Sequence, residues 1–240
     1  MKKFLSIALA LLMVCVMLPV VALAAEKTAL TYEELESAIS TANDGDTIKL
    51  LADIDLSQTI TVNKTITLNM NGKKLYNTSD LWDKPTAEAG NWSLISVRGS
   101  GNLTITGNGT FAAKENDCYA VDVKESATVT IKNGTFIGNV HAVYVLTGTA
   151  NVEGGTYSVQ QKYPDPAKAD EFVLNCYDAH HKDGTARINV TGGTFKNFNP
   201  ADNKAEGKGN NFADNSLVVQ KNNTVQNNDY YVGNAANEVI

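Results

Sequence analysis

Hydrophobic and polar residues alternate in short bursts along most of this chain. Apolar side chains fall two apart at 47–50 and 60–68, and again in Leu103-Thr104-Ile105, Val129-Thr130-Ile131 and Ile188-Asn189-Val190. A period of two predicts strands with one buried face. Four segments then end alike: Asn108-Gly109-Thr110-Phe111, Asn133-Gly134-Thr135-Phe136, Gly154-Gly155-Thr156-Tyr157 and Gly192-Gly193-Thr194-Phe195. Asn-Gly and Gly-Gly accept positive φ, so each marks a tight corner after a strand. Phe111, Phe136, Tyr157 and Phe195 share one phase and predict an inward aromatic column. Asn71-Gly72-Lys73-Lys74-Leu75 is a poorer fifth copy.

The glycines of the four copies lie 25, 21 and 38 residues apart. Self-similarity in that range means stacked repeats. A second strand recurs at 94–97, 120–123, 142–145 and 173–176, with 215–219 as a weaker last copy. Val123, Val145 and Cys176 then occupy one phase, so Cys176 reads as a small buried hydrophobe. Cys118 falls at another position two repeats away. Strands stack about 4.8 Å apart, too far over two repeats for a disulfide, so two free thiols are expected.

The N-terminal part follows another period. Leu35, Ala38, Ile39 and Ala42 give a helical apolar face, Thr31 is placed to cap it, and Glu33 and Glu34 fall in its first turn. Such a helix would cover the exposed edge of the first repeat. The expected fold is all-β, a right-handed parallel β-helix of about five to six coils with an N-terminal capping α-helix. The expected divisions are 1–24, 25–46 with the helix, and 47–240.

Residues 1–24 change the compartment. Lys2 and Lys3 precede an apolar run over 4–21, and Ala22-Leu23-Ala24 supplies small residues before Ala25. This is the layout of a secretory signal peptide, so the mature chain is expected outside the cell or on its surface, with no later membrane span. The formal charge of −6 becomes −8 without the two lysines, which argues against nucleic acid as a partner. Of three cysteines, Cys15 falls in the leader, and the two that remain are too few for a disulfide scaffold.

The opening Tyr32-Glu33-Glu34-Leu35, Ala38-Ile39 and Asn43-Asp44-Gly45-Asp46-Thr47-Ile48 resembles the start of pectate-lyase-like right-handed β-helix domains. The Gly-Gly-Thr-Phe copies resemble bacterial surface proteins of that superfamily. The resemblance covers nearly all of residues 28–232 and implies the fold; the superfamily holds lyases, hydrolases, adhesins and proteins without known activity. Its enzymes act on acidic polysaccharides, the lyases with Ca²⁺. The hydrolytic motifs are missing from the sequence: no Asp-Asp pair, no Gly-His-Gly, no Asn-Thr-Asp, and Arg187-Ile188-Asn189 departs from Arg-Ile-Lys.

The densest titratable cluster is Asp178, His180, His181 and Asp183. It reads either as a catalytic or metal-binding loop or as a solvated turn. No metal or other cofactor is expected, and Ca²⁺ would enter only with a lyase. Long segments at 76–91, 158–170 and 196–215 all follow the aromatic of the repeat, so they collect on one side, where solenoids often bind. They carry Trp82, Tyr163, Phe198 and Phe212, with Trp92 nearby; these rings read as sugar platforms or as loop packing. The expected role is a non-enzymatic, secreted or surface β-helix binding glycan or another surface ligand. The alternatives are a polysaccharide lyase or glycosidase and a structural spacer. Residues 229–232 are expected to form the last strand, and little after them covers its edge, which invites self-association.

Overall fold

The corner residues and the alternating bursts each find a fixed place in a computed structural model, which describes residues 23–81, 90–116, 118–161, 172–202, 211–224 and 227–233. The predicted leader up to residue 22 lies outside them. The chain is mostly β, and its sheets are parallel apart from one terminal hairpin.

Sheet I pairs β1 (Glu26–Ala29), β2 (Thr47–Leu50), β5 (Thr65–Asn69), β8 (Asn102–Thr106), β11 (Thr128–Ile131), β14 (Gly148–Val152) and β17 (Ala186–Val190) in that order. Sheet II runs β3 (Ile54–Asp55), β6 (Lys74–Tyr76), β9 (Thr110–Ala112), β12 (Thr135–Gly138), β15 (Thr156–Val159) and β18 (Gly193–Lys196), and continues into β20 (Asn227–Val232) and β19 (Val218–Thr224). Sheet III runs β4 (Ile60–Val62), β7 (Ser93–Val97), β10 (Tyr119–Val123), β13 (Val143–Val145) and β16 (Leu174–Cys176). From β2 to β16 the chain visits sheets I, II and III in unbroken rotation, one strand each per repeat.

Register follows the sequence phase. Leu75 pairs with Phe111, Phe111 with Phe136, Phe136 with Tyr157 and Tyr157 with Phe195. The four rings are fully buried, and neighbouring centroids lie 4.6, 5.1 and 5.1 Å apart with interplanar angles of 12°, 9° and 10°. Val123 pairs with Val145 and Val145 with Cys176. Cys118 and Cys176 are buried free thiols, and burial pushes each up to about 12.

The Gly-Gly corner is dictated by the repeat beneath it. Gly155 sits at φ +100°, and a Cβ on the preceding Gly154 would lie 2.4 Å from the Lys132 carbonyl oxygen. A side chain there would push the repeats apart.

Helix α1 (Tyr32–Ser40) forms where its caps predict. Thr31 Oγ1 accepts from the Glu34 amide at 3.3 Å, and Glu34 Oε2 accepts from the Leu30 amide at 2.8 Å. Leu35, Ala38 and Ile39 are buried, and the helix packs on β1 and β2. Asp46, after the helix, accepts from the amides of Ala25 and Asn43 at 2.8 and 2.9 Å. Those bonds hold its carboxyl below the ordinary 3.8.

The C-terminal part departs from expectation. Residues 215–219 do not repeat the sheet III strand: Asn215–Leu217 is a 3₁₀ turn, and β19 begins at Val218 in sheet II. The last strand, β20, runs antiparallel to β18, pairing Thr194 with Tyr231 and Phe195 with Tyr230. The edge of sheet II that the sequence leaves uncovered is therefore occupied by a reversed hairpin. The alternating pattern that predicts a strand does not encode its direction.

Candidate functional site

Connection length singles out one corner. From sheet II to sheet III the chain needs only 113–118 after β9 and 139–142 after β12. At the same corner the connections after β6 and β15 span 77–92 and 160–173, whereas 197–217, after β18, returns to sheet II at β19. Sheet III is also the sheet whose strands are buried along their whole length: every residue of β7, β10, β13 and β16.

The first long connection is tied down at both ends. At its start Asp55 accepts from the Thr78 amide at 2.9 Å and hydroxyl at 2.7 Å. Lys114 Nζ and Asn116 Nδ2 donate to Asp80 Oδ1 at 2.7 and 2.6 Å. At its end the Gly90 carbonyl accepts from Lys124 Nζ at 2.6 Å and from an Arg98 terminal nitrogen at 2.9 Å. Arg98 also donates to Asn91 Oδ1 at 2.6 Å and, through Nε, to Ser96 Oγ at 2.7 Å.

Between these cations lies Asp122, fully buried, with Lys124 Nζ 3.1 Å from its Oδ2 and Lys124 itself only 2 % exposed. Burial pushes the Asp122 carboxyl up, while Lys124, Ser96 and Arg98 hold it down. A buried carboxylate beside two cations has a ready electrostatic account. Both cations are committed to Gly90, so this cluster clamps the connection onto the sheet and offers no open reaction centre. The outward row Thr61, Ser96, Asp122, Tyr144 and Asn175 is in register, but past Thr61 it is buried. Its signal in the sequence is a pair of opposite charges two apart, Asp122 and Lys124, in an otherwise apolar strand.

Beside the clamp, Trp92 is half-buried with its centroid 6.3 Å from Tyr119. Tyr119 lies 4.8 Å from His141 and 5.3 Å from Tyr144, and His141 stacks on Tyr144 at 5.2 Å. His141 Nδ1 is 2.7 Å from the Phe172 carbonyl, which accepts only from a protonated nitrogen. Burial lowers its pKa to about 4, so it is a neutral imidazole in the fold.

The residues singled out from sequence separate. Trp82 and Tyr163 lie outside the described residues. Phe198 and Phe212 are buried and extend the aromatic packing beyond Phe195, with centroid separations of 6.3 and 6.5 Å. A ring without an exposed face cannot serve as a sugar platform, which corrects the expectation for both. The segment of Asp178, His180, His181 and Asp183 is not a loop but a short helix, α2 (Asp178–Asp183). His180 Nδ1 contacts the Leu146 carbonyl at 2.7 Å and His181 Nδ1 the Ala186 carbonyl at 3.3 Å. Asp183 accepts from the Thr185 amide and hydroxyl at 2.9 and 2.6 Å, which lowers its pKa. These three groups are spent on separate local bonds. Among the described residues no three His, Cys, Asp or Glu side chains are placed to hold a metal ion.

Concave surfaces among the described residues include a shallow one between α1 and β1, lined by Lys27, Glu33 and Glu34. A groove of about 510 Å³ follows the glycine corners between sheets I and II; repeat stacking already accounts for those glycines. A cleft of about 450 Å³ lies between α1, the outer side of β4 and Asn91. Among the described residues no helix is long and apolar enough to cross a membrane. No family model matches this chain, and it matches no curated protein and no solved structure.

Proposed function

We propose that this chain is a right-handed parallel β-helix of the pectate-lyase-like type, exported to the cell surface or beyond. On this reading it binds a glycan or another surface ligand through the connections on one side, without cleaving it. The rotation of the chain through three sheets supports closure into coils, and the predicted leader supports export. The observation that carries the binding reading is the placement of the two long connections, 77–92 and 160–173, at the corner from sheet II to sheet III. A solenoid that varies in length chiefly at one corner keeps its core and elaborates one face. The missing hydrolase motifs support binding over cleavage.

The test is incubation of the purified protein with insoluble plant, host and bacterial polysaccharides, with and without Ca²⁺. Retention on a polymer without new reducing ends or unsaturated products is the expected result. Cleavage would move the protein to the lyases or hydrolases. Neither signal would sink the glycan reading and favour a spacer or a protein partner.

A further inference from the structure

We infer that the cleft between α1 and β4 seats a neutral glycosyl unit and discriminates against uronates; this deepens the glycan reading and rests on it. The outer face of sheet III is covered from β7 onward and open at β4, where Thr61 is exposed. The cleft of about 450 Å³ found there falls in the range of small-ligand sites.

Its chemistry is amide and hydroxyl. Gln58, Thr61 and Asn63 line it with exposed side chains that take no hydrogen-bond partner among the described residues. Each group both donates and accepts, as sugar hydroxyls do. Asn91 forms the opposite wall, and its Oδ1 is held by Arg98, itself fixed by Ser96 and Gly90. A wall fixed before binding lowers the ordering cost of association.

The charges set the selectivity. Lys64 is the one cation among the lining residues, and its Nζ donates to the Ser40 and Ala42 carbonyls at 2.6 and 2.7 Å. It neutralises the end of α1 and has little left for a ligand. Glu36 stands on the rim and, among the described residues, accepts only from the Tyr32 hydroxyl, at 3.4 Å. A carboxylate ligand would meet Glu36 with no free cation among the described lining residues to offset it. This is the reverse of the acidic-polysaccharide preference implied by the pectate-lyase resemblance.

The experiment is isothermal titration of the purified protein with cellotetraose, xylotetraose, mannotetraose, maltotetraose, chitotetraose and tetragalacturonate. Binding of at least one neutral tetrasaccharide is expected, with tetragalacturonate weaker by about tenfold or more. The Gln58→Ala/Asn63→Ala double variant should weaken the neutral ligand about tenfold, the size of one or two lost hydrogen bonds, with an unchanged thermal midpoint. Glu36→Gln should narrow the gap to tetragalacturonate. Unchanged neutral binding in the double variant, or tighter binding of tetragalacturonate, overturns the cleft and leaves the glycan reading standing. Retention on insoluble polymers with no affinity for any tetrasaccharide does the same. Absence of both defeats the two together.

Discussion

Sheets I and III are built from the same repeats, yet they solve the problem of their outer faces in opposite ways. In β11 of sheet I, burial alternates and the outward residues are Thr128 and Thr130. In β10 of sheet III nothing alternates; the outward Asp122 is as buried as its apolar neighbours. A threonine on a half-open face can share its hydroxyl between water and a neighbour, as Thr130 Oγ1 does in accepting from Asn151 Nδ2 at 3.5 Å. A carboxylate under a covering segment must be given a partner, and Lys124, Ser96 and Arg98 are that provision. Position on the strand is therefore a weak guide to environment; what lies over the sheet decides it.

The comparison is broken hardest at Lys124. Lys124→Met should leave Asp122 buried without its nearest cation and cost about 3–5 kcal/mol, read as a lower urea midpoint. Thr130→Met on sheet I should stay within about 0.5 kcal/mol. Equal losses at the two sites would show that sheet III is not covered as described.

His141 offers a titration of the same contrast. Its pKa falls from 6.5 to about 4 in the fold, so the unfolded chain takes up a proton first as pH drops. Stability should be lost between pH 6.5 and about 4, by about 3 kcal/mol in total, and level off once both states are protonated. The difference between wild type and His141→Gln across that window isolates the effect; a flat difference would place His141 in water.

Asp46 works with the opposite group and the same direction. Its carboxyl is held below 3.8, so its contribution is present above that value and fades as pH falls through the lower folded value. Asp46→Asn should remove that acid-side loss and cost stability at neutral pH, seen in the thermal midpoint.

The smallest effect is expected at the thiols. With both pushed up to about 12 by burial, neither Cys118 nor Cys176 should react with iodoacetamide at pH 8 unless the protein is unfolded. Cys176→Val, which restores the residue of the neighbouring repeats, should cost under about 1.5 kcal/mol. Labelling of the native protein, read by mass, would contradict the packing of sheet III.

Much of this was legible in the sequence because it repeats. The aromatic phase from Phe111 to Phe195 and the alignment of Val123, Val145 and Cys176 need only counting, and Thr31 with Glu34 is a local cap signal. Phe198 and Phe212 have no repeat to fix their phase. They sit in a long connection, where an aromatic ring reads equally as exposed or as a plug. The helix at Asp178–Asp183 is six residues long, too short for an apolar period to show. The burial of Asp122 comes from a segment some thirty residues upstream, and no local pattern can report it. The cleft at β4 joins residues from α1, β4 and the end of a long connection, a meeting that only register reveals.

The reversed hairpin at the end of sheet II has a consequence for how such a molecule can vary. A parallel ladder is a template: its last strand presents the slanted donors and acceptors that another copy would need, so a duplicated repeat can be spliced in anywhere along it. β20 and β19 replace that lattice with the perpendicular pairing of an antiparallel edge. A further repeat finds no matching register there. Lengthening by duplication is confined to the interior of the stack, and the hairpin acts as a full stop that travels with the last repeat whatever the number before it.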